Sequence, residues 1–371
     1  MGWGKRLLTR IDPGLLVGVS LGDWTGVLWD NGFRIRPPYW PKVAYTTLLS
    51  LLNTPLRWLE SGLYGRRVAA QEVLPLLFVL GHWRSGTTLL HSLLARDRRF
   101  AYPTYAQTAQ PHHFLLTGRL GDRVIGLLRP PTRGELDNVA LTVDAPEEEE
   151  FLLCRTSLLS PYLSWAFPAN SDRYDRYLTF RDVPGREVER WKAAFVRLAR
   201  RLTYRLRRPL IFKSPPNTCR IRLLLEAFPD ARFVHIHRDP YTVYQSTRRM
   251  LQVSEDFFAF QRADPARLHD RILRQYRVMY DAFFEERGLI PAGRYCEVGF
   301  EELEADPVGV LGRIYEELSL PDFAVARPAL EDHVKSLSGY KKNRHAELPP
   351  ELRGEIAGAW RRCFDEWKYP V

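Results

Sequence analysis

The sequence predicts an α/β fold, a central parallel sheet covered by helices on both faces. Short, nearly continuous apolar runs recur along the chain, each followed by a helical pattern. That is the rhythm of buried parallel strands joined by crossover helices. Longer stretches, 186–206 and 265–287 in particular, carry apolar residues at helical spacing. The 371 residues suffice for one large domain with extensions or for two smaller ones, and 45% apolar with 26% charged residues is a globular composition.

Taken in order, residues 1–40 are rich in Gly, Trp and Pro and read as an irregular leader. Its start is basic, but Asp12-Pro13 interrupts it before a short apolar run, which does not fit a secretion signal. Arg6 stands where a myristoylation signal needs Ser or Thr. "KVAYTTLLSLLNTPLRWLESGLYGRRV" follows, read as two helices broken at Asn53-Thr54-Pro55. No charge falls between Lys42 and Arg57, so this segment either packs against the domain or makes peripheral membrane contact through residues 43–58. No apolar stretch has the length of a membrane-spanning helix.

"LPLLFVL" (74–80), "PLIFK" (209–213), "RFVHIH" (232–237) and "RYCEV" (294–298) are the strands, and each leads into a helical pattern. Their order within the sheet is not readable from the chain. The organisation that follows is an N-terminal leader and helical extension (1–72), an α/β domain (73–320), and a C-terminal basic segment and helix packing on that domain (321–371).

Net charge is +10, which favours anionic ligands or membrane surfaces and says nothing about fold. Nucleic acid is the weaker reading, because there is no zinc-finger spacing, RNA-binding signature or basic tail. The four cysteines (Cys154, Cys219, Cys296 and Cys363) are scattered. They suit reduced thiols in a cytoplasm and supply no metal or disulfide framework.

The chemistry starts at "GHWRSGTT" (81–88), between the first strand and its helix. Gly81 and Gly86 let the backbone turn and approach an anion, and Thr87 and Thr88 add hydroxyls at a helix N-terminus whose dipole favours negative charge. The loop is P-loop-like, but Thr87 occupies the place of the lysine that nucleoside-triphosphate loops carry. Its cation is Arg84, inside the loop, where a guanidinium can fork onto oxyanions. The plainer reading is a strand–helix turn that binds nothing.

"RFVHIHRDPYTVYQS" repeats the logic. Arg238 follows the third strand, and Ser246, eight residues later, faces back toward the strand end if a helix starts near Pro240. Asp239 offers a poor magnesium site beside Arg238, and Arg-Asp-Pro alone is equally a helix cap.

Together the two motifs resemble the sulfotransferases that use 3'-phosphoadenosine 5'-phosphosulfate (PAPS), in particular a bacterial group with an "RSGTT" loop and a "PHHF" stretch. The resemblance implies that Arg84, Ser85, Gly86, Thr87 and Thr88 hold the 5'-phosphosulfate and that Arg238 and Ser246 hold the 3'-phosphate. It also implies in-line transfer to a hydroxyl of a small-molecule, lipid or glycan acceptor without a metal. Lys213, at the end of "PLIFK", matches the lysine that steadies charge on the bridging oxygen. A solvated strand-end lysine is the alternative.

The base is not where relatives carry it. Cytosolic sulfotransferases place a histidine just after that lysine, where this chain reads "KSPP". Tyrosylprotein sulfotransferases use a glutamate about twenty residues past the loop arginine, near Tyr105–Gln107 here, with no carboxylate. Two substitutes remain. Glu147–Glu150 opens a helix, where one or two acids, Glu148 and Glu150 foremost, could face inward while the others stay solvated. His112 and His113 in "QPHHF" come next, with His113 preferred. "SGYKKNRH" supplies Lys341, Lys342 and Arg344, either a closing segment over the 3'-phosphate or a solvated turn.

Two further function classes stand beside a PAPS-dependent sulfotransferase: a P-loop kinase or ATPase, disfavoured by the missing lysine, and a basic protein that catalyses nothing. Magnesium-independent binding of adenosine 3',5'-bisphosphate separates the three.

Overall fold

The computed structural model describes residues 14–127, 142–336 and 347–371. Its principal elements, in chain order, are α1 (Leu21–Asp30), α2 (Trp40–Ala69), β1 (Leu76–Leu80), α3 (Thr87–Leu94), α4 (Glu149–Ser157), α5 (Gly185–Leu206), β2 (Leu210–Lys213), β3 (Arg232–His237), α6 (Pro240–Phe258), α7 (Leu268–Glu286), β4 (Tyr295–Gly299), α8 (Pro307–Glu317) and α9 (Phe323–Ser336). They fall into two compact units. A sheet unit comprises 74–102, 208–249 and 267–371, and a helical unit comprises 1–73, 103–207 and 250–266.

In the sheet unit the four expected strands pair in parallel in the order β2-β1-β3-β4. Alternate side chains serve opposite faces. Leu77, Val79, Ile211, Val234 and Val298 pack with Leu90 and Leu94 of α3, Ile314 of α8 and Leu330 of α9. On the other face Phe78 stacks on Phe233 and packs at a tilt against Phe212 and Phe228, and His235 lies on Phe283 of α7. Helices therefore cover both faces. The chain steps from β1 to β2 on one side and then to β3 on the other. This creates a topological switch point at the carboxyl ends of β1 and β3, where open α/β sheets bind ligands.

The helical unit corrects two expectations. The leader is not wholly irregular: Ser20 caps α1 by accepting from the Asp23 N–H, and Trp24, Val27 and Leu28 are buried. The segment after it is one helix, α2, running through Pro55 without a break. Proline at that point removes one N–H and crowds one carbonyl, but Pro55 is exposed, and polar contacts inside the unit hold both halves of the helix. The Asn53 amide donates to Val19 O on one side of the proline, and Arg57 donates to Ser20 and Asp23 on the other.

Candidate active site

The loop after β1 has a backbone only certain residues can adopt. Gly81 sits at φ +146° with its N–H on Thr218 Oγ1 at 2.7 Å, and a Cβ there would lie 2.5 Å from Ile236 O. Gly86 at φ +102° presses against the Phe300 ring, which a Cβ would meet at 2.3 Å. Between them Arg84 is held in the left-handed region at φ 70°, a strained conformation for a residue with a side chain. Ser85 ties the loop to itself, its N–H and Oγ both donating to His82 O. Gly86 then starts α3 without a side-chain cap, so the first-turn N–H groups remain available to a ligand.

Three cations gather on this loop from three strand ends. Arg84 Nε donates to Ser246 Oγ at 2.8 Å, which joins the two sequence motifs directly. Arg238 packs its guanidinium over Phe300 at 3.9 Å and donates to Arg84 O at 3.3 Å. Burial foremost, with Arg84 adding to it, lowers the Arg238 pKa. Lys213 ends β2 almost fully buried, its Nζ 3.5 Å from Thr88 Oγ1. Like charges brought this close around a cradle of backbone N–H groups are complementary to a polyanion.

Asp239 accepts from the Thr242 N–H and hydroxyl at 2.9 and 2.6 Å, the geometry of a helix cap for α6. Among the described residues there is no cluster of side chains suited to a metal ion.

His91 went unnoticed in the sequence. It lies one turn past Thr87 and Thr88, buried, edge-on to Tyr102, with Nε2 unpartnered among the described residues. Burial, then Lys213, holds its pKa well below the ordinary value, so the imidazole adds no fourth positive charge. The signal was there: positions 87, 88 and 91 share a helix face.

The candidate bases lie in the helical unit. Glu148 is the N-cap of α4 and accepts from the Tyr162 hydroxyl. Glu150 accepts from Ser160 Oγ at 2.7 Å. The expected division into one or two inward acids and solvated others is not seen: Glu147, Glu149 and Glu150 are all buried and Glu148 is half-buried. His113 Nε2 lies 3.1 Å from Asn53 Oδ1, and burial, then Arg201, lowers its pKa to about 4. His112 is lowered to about 3, burial again first and Arg57 next. Lys341, Lys342 and Arg344 lie outside the described residues.

The comparisons with known proteins agree with this geometry. The sulfotransferase family model matches residues 75–324. The chain belongs to the sulfotransferase family. It is 36% identical over 356 residues to the omega-hydroxy-beta-dihydromenaquinone-9 sulfotransferase Stf3 of Mycobacterium bovis and of Mycobacterium tuberculosis, covering 96% of this chain and 91% of each relative. Among solved structures, sulfotransferase STF9 from Mycobacterium avium superposes with a TM-score of 0.68 at 19% identity, over 96% of this chain and 98% of that one. Sulfotransferase STF1 from Mycobacterium tuberculosis gives 0.66 at 19%, over 91% and 92%. This sulfotransferase moves a sulfuryl group from PAPS to a hydroxyl-bearing acceptor, and the kinase or ATPase reading falls away.

Proposed function

We propose that this sulfotransferase acts on the hydroxyl of a lipid-soluble acceptor, a long isoprenoid or similar chain ending in an alcohol. The near full-length identity to Stf3, whose name specifies an omega-hydroxylated menaquinone, is the observation that supports this substrate class. Peripheral membrane contact through residues 43–58 and a cytoplasmic site belong to the same reading; the four cysteines are buried and free.

In the site itself, Arg84, Ser85, Gly86, Thr87 and Thr88 take the 5'-phosphosulfate, and Arg238 with Ser246 takes the 3'-phosphate. Lys213 steadies the negative charge that grows on the bridging oxygen as the sulfuryl group leaves in line, without a metal. The Arg84–Ser246 hydrogen bond supports this division, because it joins the loop after β1 to helix α6, the two segments to which the 5' and 3' groups are assigned. The acceptor proton goes to Glu148 or Glu150, or failing these to His113. Sulfation assayed with PAPS and a detergent-solubilised omega-hydroxy polyprenyl compound, against a short alcohol, tests the acceptor class. Equal turnover of both would overturn it. Retained binding of adenosine 3',5'-bisphosphate in EDTA tests the metal-free donor site.

A further inference from the structure

Helix α2 is amphipathic the wrong way round. Its inward side is polar and fully engaged. Lys42 Nζ donates to Phe257 O at 2.7 Å, and Asn53 reaches Val19 O and His113. Arg57 pairs with Asp23, while Glu60 accepts from the Leu115 and Leu116 N–H groups and from Arg201. Its outward side is apolar. Leu48 (56%), Leu52 (58%), Trp58 (70%), Leu59 and Leu63 are exposed, and Trp40 starts the row. Just upstream, Trp29 (77%) and Phe33 add two more exposed rings.

From Trp40 to Gly65 no fully exposed residue is charged: Lys42 and Glu60 are buried and Arg57 is half-buried. At 1.5 Å per residue this strip runs about 38 Å. A water-facing helix presents the opposite pattern, and an apolar surface this continuous marks an interaction site.

Exposed basic residues bracket the strip, with Arg34 and Arg36 before it and Arg66 and Arg67 after it. That arrangement selects the occupant. A two-fold pairing of two such strips sets basic end against basic end, whichever way the helices run. A bilayer surface with anionic headgroups instead attracts both ends, receives the leucines at the acyl boundary and suits tryptophan at the interface. No helix among the described residues is long and apolar enough to cross a membrane, so the strip lies in the membrane plane.

We propose that the outer face of α2, with Trp29 and Phe33, docks flat on an anionic lipid bilayer. The inference deepens the peripheral-contact reading above and rests on it, but it is independent of the acceptor's identity.

Vesicle co-sedimentation tests it, with phosphatidylcholine alone and with phosphatidylcholine–phosphatidylglycerol mixtures. The full chain sediments with the mixed vesicles, and the double variant Leu52→Glu/Trp58→Glu partitions about tenfold or more weakly. Arg66→Glu/Arg67→Glu weakens binding to the mixed vesicles only, and its loss is masked by high salt. Both variants keep wild-type binding of adenosine 3',5'-bisphosphate and wild-type sulfation of a detergent-solubilised acceptor. That measurement separates failure of docking from failure of the proposed function. Wild-type protein that stays in solution with both vesicle types overturns the proposal. So does a wild-type dimer that Leu52→Glu/Trp58→Glu splits without affecting sedimentation, because a second copy then covers the face.

Discussion

The two units handle charge in opposite ways. In the sheet unit Arg84, Arg238 and Lys213 gather around one loop and the helix that follows it. In the helical unit several acids are held by partners within the unit: Glu60 by Arg201 and two backbone N–H groups, Glu148 by Tyr162, Glu150 by Ser160. Cations gathered at a helix N-terminus favour an anion there. A matched network stabilises the fold, and a catalytic group hidden in one is hard to recognise because its neighbours already satisfy it.

Substitution in each unit sharpens that contrast. The largest expected effect is at the base, where loss of a positioned proton acceptor lowers turnover by about 10²–10⁴-fold and leaves PAPS affinity nearly unchanged. Glu148→Gln, Glu150→Gln and His113→Ala, each assayed at saturating PAPS, identify it. A pH profile does not serve here. With His113 lowered to about 4, a histidine base stays neutral and active on acidification until near that value, so a fall in activity near pH 6.5 is not its signature. Full activity in all three variants removes all three candidates.

Next in size is Glu60→Ala. It strands the largely buried Arg201 and two backbone donors, and breaking a buried ion pair costs about 3–5 kcal/mol. Urea denaturation reads the loss, while bisphosphate affinity of the folded fraction stays as in wild type. A stability change near zero would mean that the matched network contributes little.

Arg84→Ala and Lys213→Ala run the other way. Each is expected to remove a donor to developing charge, worth about 10²–10³-fold in kcat, a loss read in turnover at saturating PAPS. Arg84→Lys restores only part, since the fork is lost. Near-normal sulfation by either alanine variant refutes its role.

The smallest effects separate the two ends of the nucleotide. Arg238→Ala weakens adenosine 3',5'-bisphosphate by about 1.5–3 kcal/mol and Ser246→Ala by about 0.5–1.5, the usual order of charged over neutral hydrogen bonds. Adenosine 5'-phosphate, measured by calorimetry, is little changed by either. Equal losses for both nucleotides make this pair a brace for the loop through the Arg84–Ser246 contact.

How much could be read in advance follows from how local each feature is. β1, β2 and β3 are legible because a strand buried on both faces needs a short, nearly continuous apolar run; β4, buried at alternate residues, shows instead the period-2 pattern of a half-covered strand. The loop after β1 is legible too, because glycines at φ +146° and +102° and the cation between them fall within six residues, Gly81 to Gly86. Strand order depends on which crossover the whole chain takes, and only the assembled sheet sets β1 between β2 and β3. Pro55 reads locally as a break, yet contacts to Val19, Ser20 and Asp23 carry α2 through it.

Helix α2 and helix α5 show the limit most clearly. In both, the periodicity reveals two faces. In α5 the apolar one is inside, with Trp191, Phe195 and Leu202 buried; in α2 the polar one is. Spacing along the chain determined that each helix has a polar and an apolar side. Which side turns inward was decided by the partners that tertiary folding brought to it: donors and acceptors from distant segments, which made burial of Lys42, Asn53 and Glu60 affordable and left the leucines outside.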